Sequence, residues 1–246
     1  MAANVALLQA MNAALAAQSQ PAQAGAMQAY MKSTMPFLGI AAPQRRKVVA
    51  EVAAAYPVTD SQTLIDTVLQ QWRTATHREQ RYAALDLLRV PRLRKFLDLQ
   101  CLPAVHEMLL TGPWWDHNDE ISGQVLPVLL QRHPAETKAV LRDWARSDSQ
   151  WLRRAAMLSQ RGLKTGFDAV LLYDCILPSL GDSALAKEFF IRKGMGWALR
   201  ERSYAAPEEV QAFCAEYGAQ LSPLTLREAL SVINSRTAKD SRHATE

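Results

Sequence analysis

The sequence predicts an all-helical protein. Only ten of its 246 residues are glycine, and no turn dipeptide typical of a β-hairpin lies between alternating apolar and polar runs. Alanine and leucine, which favour helices, are abundant. Prolines also stand where first helical turns are expected, since a first turn does not need the amide hydrogen that proline lacks. These prolines are Pro21, Pro43, Pro134 and Pro207.

Thirteen helices are predicted, each from apolar residues that recur at helical spacing. Asp60 and Ser149 are suitable N-caps because their side chains can accept from free amides of the first turn. Pro127 lies inside one predicted helix and is expected to kink or split it. The predicted spans are roughly 4–18, 21–32, 43–56, 60–74, 78–90, 99–111, 114–131, 134–146, 149–161, 166–178, 184–203, 207–217 and 224–233.

The helices are joined by short loops and pair at a spacing of roughly 35–40 residues. This organisation is typical of a curved α-solenoid of HEAT-like helical repeats, although no strict repeat consensus is visible. The concave side of such an array is a natural groove for a long partner. We expect a single domain over residues 1–234 and a polar, disordered tail over residues 235–246.

The positive charge is concentrated in two stretches of the chain. The formal net charge is +4, and residues 1–50 contain no acidic residue but four basic ones, which equals the whole excess. Local basic patches of this kind fit an anionic partner such as a phosphate backbone, and solvated helix faces are an equally open alternative. The two acid-free stretches contain Lys32, Arg45, Arg46 and Lys47, and then Arg153, Arg154, Arg161 and Lys164.

Cysteine usage and the N-terminal region indicate a cytoplasmic protein. The three cysteines are far apart and form no CxxC pair, which favours a reduced setting over a disulfide framework or a zinc site. Residues 1–31 carry no charged side chain, but several Asn and Gln residues interrupt them and no basic segment precedes them. We therefore expect neither a signal peptide nor a membrane span.

The segment Trp114-Trp115-Asp116-His117-Asn118-Asp119 is the most informative in the chain. In a helix that begins here, Trp115 and Asp119 are four residues apart and share one face. A flat ring beside a carboxylate suits a planar, cationic target, such as an alkylated purine nucleoside. Considered alone, the tryptophan is more simply a core anchor and the carboxylate a first-turn residue favoured by the helix dipole.

Several further segments accompany this one in a fixed order. With these motifs at these spacings, the chain resembles the AlkD-type DNA alkylation-repair glycosylases, a bacterial HEAT-like family, from about Tyr30 to Ile233. One motif alone would be weak evidence, whereas six in register make the resemblance strong. The six segments are Tyr30 to Arg46 (with Tyr30-Met31-Lys32, Pro36 to Ile40 and Pro43 to Arg46), Arg78 to Asp86, Trp114 to Asp119, Trp151 to Ala156, Lys187 to Arg200 and Leu221 to Ala229.

The resemblance implies excision of N3- and N7-alkylated purines from double-stranded DNA, without a metal or another cofactor. It implies that Asp119 lies against the deoxyribose of the lesion, with Trp115 and Trp197 packed on the same backbone region. It also assigns Arg154, Arg200 and Tyr30 to DNA contact. Arg153, Arg45 and Arg46 are further candidates for phosphate contact because of their basic stretches, with solvated surface charge as the alternative for each.

The chemistry of the reaction supports these assignments. Cleavage of an N-glycosidic bond develops positive charge at C1′, so an ionised Asp119 beside the sugar lowers the barrier and can orient the attacking water. The two indoles can exclude solvent and offer ring faces to a cation, worth roughly 0.5–2 kcal/mol each. Arg154 and Arg200 are expected to hold phosphates, and Arg154 is expected also to help keep Asp119 ionised. No lysine stands out as a Schiff-base nucleophile, so base release without strand cleavage is expected.

A binding module is the main alternative to an enzyme. A helical-repeat protein that binds damaged DNA or an acidic protein partner without catalysis would share the basic patches. A scaffold has no need of Trp115 and Asp119 on one face opposite Trp197 and Arg154. A groove on one side of the chain that acts on duplex DNA is expected to work as a monomer.

Overall fold

The structure, a computed structural model, describes residues 2–163, 166–181 and 183–243, with side chains described as far as residue 236. In this part of the chain the regular elements are fourteen α-helices and three short 3₁₀ helices, and there is no β-strand. The predicted all-helical fold class is confirmed. By its internal contacts the chain divides into two compact units, Met1–Met108 and Leu109–Glu246. The single domain over residues 1–234 stays a prediction.

The first unit contains six helices, the last of which runs across the unit boundary. Asp60 caps one of them by accepting from the amide of Thr63 at 2.8 Å, as predicted. Inside this unit the first, third, fourth and fifth helices pack on one another. The helices are α1 (Val5–Ala17), α2 (Pro21–Met31), α3 (Ala42–Ala55), α4 (Ser61–Thr74), α5 (Arg78–Arg89) and α6 (Cys101–Thr111).

The loop before α3 depends on a buried carboxylate. The fully buried Glu79 accepts hydrogen bonds from the amides of Leu38, Gly39 and Ile40 at 2.8, 2.8 and 3.1 Å. Gly39 has φ +85°, and a Cβ there would lie 2.1 Å from the carbonyl oxygen of Gln20. Only glycine therefore fits this position.

The second unit contains the remaining eight helices. In it α10 packs against α7, α9, α11 and α12, while α14 packs along α12. Ser149 caps α10 as predicted, with its hydroxyl accepting from the amide of Leu152. The helices are α7 (Trp115–Gln124), α8 (Leu126–Arg132), α9 (Pro134–Trp144), α10 (Gln150–Leu158), α11 (Ala169–Ile176), α12 (Phe189–Ser203), α13 (Pro207–Tyr217) and α14 (Pro223–His243).

Some helix boundaries differ from the prediction. The predicted helix over residues 114–131 is split between α7 and α8 just before Pro127, as the proline led us to expect. The helix predicted from residue 184 begins only at Phe189. Residues 235–243 continue α14, whereas a disordered tail was expected there, and residues 244–246 lie outside the described residues. The division into HEAT-like repeats stays a prediction.

Candidate active site

The site lies in the second unit, at the beginning of α7. Trp114 is the N-cap of this helix, and Pro113 precedes the cap. The fully buried His117 ring bonds through Nδ1 with the carbonyl oxygen of Gly112 at 3.0 Å, which anchors the helix start. The buried Asn118 donates from Nδ2 to the carbonyl oxygen of Trp151 at 2.6 Å. This bond ties α7 to α10.

The tie between α7 and α10 brings Asp119 against Arg154. Nε and Nη2 of Arg154 both donate to Oδ1 of Asp119, at 3.0 and 2.8 Å. The arginine side chain is only 3% exposed, and that of the aspartate is 14% exposed. Oδ2 of Asp119 has no hydrogen-bond partner within the described part of the chain. One carboxylate oxygen is thus fixed by the arginine, while the other remains available to a ligand.

Arg154 is itself held by the beginning of α12. Its Nη1 donates to the carbonyl oxygen of Phe190 at 2.7 Å, and its guanidinium carbon lies 5.9 Å from the centroid of the Phe190 ring. A Cβ on Gly194 would lie 3.0 Å from Nη1, so the absence of a side chain at this position lets α12 approach the guanidinium. The guanidinium of Arg154 is therefore hydrogen-bonded both to Asp119 and to the backbone of α12.

Burial and charge act in opposite directions on the Asp119 carboxyl. Burial raises its pKa above the ordinary value of 3.8, and the Arg154 charge and hydrogen bonds oppose this rise. The charge of Arg161 also lowers the pKa of Asp119, and that of Asp116 raises it. The aspartate is consequently easier to protonate than an exposed one.

Trp197 on α12 lies among three arginines. The guanidinium carbons of Arg161, Arg200 and Arg154 lie 4.6, 5.5 and 5.9 Å from the centroid of its ring. We expected Trp197 to offer an electron-rich face to a cationic nucleoside. In the structure these cations of the protein already surround the indole, so Trp197 holds the arginines in place.

The two neighbouring tryptophans at the start of α7 have different surroundings. Trp114 packs with Trp151 and Phe190, at centroid distances of 6.2 and 5.4 Å, and so has a structural role. Trp115 is half-buried and makes no ring–ring or cation–ring contact within the described residues. It is on the same face of α7 as Asp119, four residues earlier. Trp115 therefore remains the indole that can meet a ligand.

Arg200, the second arginine near the Trp197 ring, forms an ion pair with a carboxylate of α14. Glu228 accepts from Nη1 of Arg200 at 2.9 Å and also pairs with Lys193. A Cβ on Gly196 would lie 2.6 Å from Cβ of Glu228 and 3.0 Å from the carbonyl oxygen of Thr225, so glycine lets α12 and α14 pack closely. Arg200 is about one-third exposed and keeps donors for a further partner.

Three of the expected DNA contacts lie in the first unit. Tyr30 is 77% exposed at the end of α2. Arg45 is buried, donates to Asp86 at 2.7 Å and lies over the ring of Tyr82, so it is neither the phosphate contact nor the surface charge that we expected. Arg46 is 42% exposed and lies 3.5 Å from the same aspartate.

Arg153 also differs from its prediction as a phosphate contact. It is buried and donates to the carbonyl oxygens of Ser147 and Pro178 at 2.6 Å each. Its Nη1 also lies within hydrogen-bond distance of the hydroxyls of Ser179 and Ser183. These bonds tie the segment that follows α11 to the beginning of α10.

Sequence reasoning missed several residues that build the site. Asn118 positions Asp119 through its hydrogen bond to the backbone of α10. Phe190 positions Arg154 through its backbone carbonyl, and Gly194 does so because it has no side chain. None of these roles has a signal in a single sequence, because each depends on which helix lies opposite. Arg161 was visible as part of a basic stretch, but its contact with Trp197 was not predictable.

Comparison with known proteins identifies the family of the chain. Residues 11–233 match the model of a family described as DNA alkylation repair enzymes, and the chain belongs to that family. A solved structure described as a predicted DNA alkylation repair enzyme from Enterococcus faecalis is similar, with 28% identity and a TM-score of 0.74. The similarity covers 87% of this chain and 95% of that chain. None of the curated proteins matches significantly.

The protein is thus a member of a DNA repair family, as the sequence motifs predicted. Within the described residues, no helix combines the length and apolar character required to cross a membrane.

Proposed function

We propose that the protein is a monofunctional DNA glycosylase that hydrolyses the N-glycosidic bond of N3- and N7-alkylated purines in duplex DNA. The observation that carries the proposal is the Asp119 carboxylate, of which Oδ1 is fixed by Arg154 while Oδ2 is without a partner among the described residues. The family description supports alkylation repair in general. The specific reaction rests on the chemistry of this pair.

Alkylation at N3 or N7 gives the purine a positive charge. When the bond between C1′ and the base breaks, the bonding electrons move to the base and neutralise it, and positive charge develops on the sugar. An anionic Asp119 next to C1′ stabilises that charge, and Oδ2 can orient the water that attacks C1′. The water adds its oxygen to C1′ and loses a proton to the solvent, which leaves an abasic site and a free base.

Arg154 is proposed to position the carboxylate and to keep it ionised. The contact with a phosphate that was also expected of Arg154 does not fit a side chain that is 3% exposed and already bonded to Asp119 and Phe190. A cation fixed beside Asp119 favours the ionised form against the effect of burial. Trp115 is proposed to lie against the damaged nucleotide, since its ring has no partner ring or cation in the described residues.

The proposal is tested by incubating the protein with methylated duplex DNA and measuring free 7-methylguanine and 3-methyladenine. We expect release of both bases with the sugar–phosphate strand intact until the abasic sites are cleaved by heat or alkali. Unmethylated duplex of the same sequence is the control. Binding to the methylated duplex without release of a base would instead support a non-catalytic DNA-binding role and would contradict the proposal.

A further inference from the structure

Arg161 is a charged residue that the proposed reaction does not use. It lies in the turn after α10, and its guanidinium carbon is 4.6 Å from the centroid of the Trp197 ring. The residue is partly exposed. Its guanidinium makes no hydrogen bond and no ion pair with any residue that the structure describes. A stacked guanidinium has all five of its donors available.

The other basic residues of the same stretch are occupied by the protein. Arg153 donates to backbone oxygens, and Arg154 is paired with Asp119. Lys164 lies outside the described residues. Among the described cations of this stretch, Arg161 therefore differs from the others: a ring holds it in place, and it forms no ion pair with a carboxylate.

The position of Arg161 relates it directly to Asp119. A Cβ on Gly123 would lie 3.9 Å from Nη1 of Arg161, so the guanidinium lies over Gly123 of α7. Gly123 follows Asp119 by four residues and shares its face of the helix, at a distance of about 6 Å along the helix axis. In a nucleic acid strand the phosphates that flank a sugar are its nearest charged neighbours. A sugar at Asp119 thus places a phosphate in the region of Arg161.

We infer that Arg161 is a phosphate-binding residue for the nucleic acid strand, held ready by Trp197. The inference rests on the proposed function, because it takes Asp119 to mark the position of the sugar. Trp197 fixes the guanidinium plane before binding, so that little side-chain freedom is lost when the phosphate arrives. Arg200, at 5.5 Å from the same ring, extends the cationic surface on α12.

The inference is tested by measuring the affinity for an undamaged duplex over a range of salt concentrations. We expect Arg161→Ala to weaken binding and to reduce the slope of log K against log salt by about one, as the loss of one phosphate contact predicts. Arg161→Gln, which keeps most of the side chain, is a second neutral variant. Arg161→Lys keeps the charge but not the planar stacking group, so we expect it to retain the parental slope with weaker binding.

The matched control is Arg146→Ala. Arg146 is an exposed arginine whose guanidinium donates to the carbonyl oxygen of Arg142 and is not stacked on a ring in the described structure. We expect no change of slope for this control. An unchanged slope for folded Arg161→Ala and Arg161→Gln would overturn the inference, even if base release were slower, because Arg161 would then act only through Asp119.

The two proposals fail in different ways. Release of methylated bases by the parent is measured in parallel with the binding series. Absence of release, with a slope that depends on Arg161, would overturn the glycosylase proposal and support the phosphate contact. Normal release, with a slope that does not depend on Arg161, would leave the glycosylase proposal intact and overturn the phosphate contact.

Discussion

At the scale of single residues, Asp119 is subject to burial on one side and to a fixed cation on the other. Burial raises the pKa of its carboxyl, and the Arg154 guanidinium counteracts this effect. The ionised form is the one that stabilises positive charge on a sugar. The balance between these two effects should therefore be visible in the pH dependence of base release.

We predict that base release declines with acidification at a pH above 3.8, the ordinary pKa of an aspartate. The sign follows from the raised pKa: the active anion is lost as the pH falls through that value, so the loss begins at a higher pH than for an exposed carboxyl. Arg154→Gln should move the decline to still higher pH, because the opposing cation is gone. Single-turnover rates between about pH 4 and pH 8, corrected for spontaneous release, measure both effects.

Arg142→Gln is the matched control for this prediction. Arg142 also pairs with an aspartate, Asp174 at 2.7 Å, but on α9 and α11 and away from Asp119. Its loss should leave the pH profile unchanged. A profile for Arg154→Gln that coincides with that of the parent would show that Arg154 does not influence the ionisation of Asp119.

At the scale of elements, two glycines decide how closely α12 meets its neighbours. Gly194 is adjacent to Arg154 on α10, and Gly196 is adjacent to Glu228 and Thr225 on α14. Well-packed interfaces tolerate an added methyl group only by moving, at a typical cost of 1–3 kcal/mol. The geometry of the site therefore depends on Gly194 and Gly196, which have no side chain and take no part in the proposed chemistry.

We predict that Gly196→Ala lowers the free energy of unfolding by about 1–3 kcal/mol. The added Cβ would lie 3.0 Å from the backbone oxygen of Thr225, which cannot rotate away. Gly25→Ala on α2 is the control: nothing lies within 4 Å of its added Cβ, and alanine in a helix is favoured by about 0.5–1 kcal/mol. Denaturant unfolding measures both variants. A Gly196→Ala protein as stable as Gly25→Ala would refute the close packing of α12 and α14.

The sequence predicted local features of the helices better than their contacts. Caps at Asp60 and Ser149 and the break before Pro127 depend on neighbouring residues, and all three are confirmed. The late start of α12 was missed, and so were the bonds from Arg153 to the segment that follows α11, because that segment is far from Arg153 in the sequence. The pairing of Asp119 with Arg154 was accessible only as one of two roles considered for the arginine.

At the scale of the whole molecule, the distribution of charged residues along the sequence did not predict how their side chains pair in the structure. Residues 1–50 contain the whole formal excess of +4, yet Arg45 and Arg46 face Asp86, and Lys47 faces Glu51 at 3.9 Å. Their acidic partners come from later in the sequence, so a count within the first fifty residues could not include them. In the basic stretch around Arg154, Arg154 itself is paired with Asp119, and Arg153 is buried against backbone carbonyl oxygens.

We predict that one chain is sufficient for activity. Asp119, Arg154 and Trp197 come from α7, α10 and α12 of a single polypeptide, so the proposed chemistry needs no residue from a second copy. Base release per mole of protein should therefore not depend on protein concentration, and sedimentation should show a particle of 27.4 kDa. A specific activity that rises with protein concentration, together with a larger particle, would contradict a monomer.

The account depends most on the charge of Asp119, and replacing it by asparagine tests this charge directly. We predict that Asp119→Asn lowers the single-turnover rate of 7-methylguanine release about a hundredfold or more, the order expected for loss of a transition-state charge contact. Affinity for the duplex should stay nearly unchanged, and Asp116→Asn, three residues earlier on α7, should release the base at close to the parental rate. An Asp119→Asn protein that releases the base as fast as the parent would contradict the account.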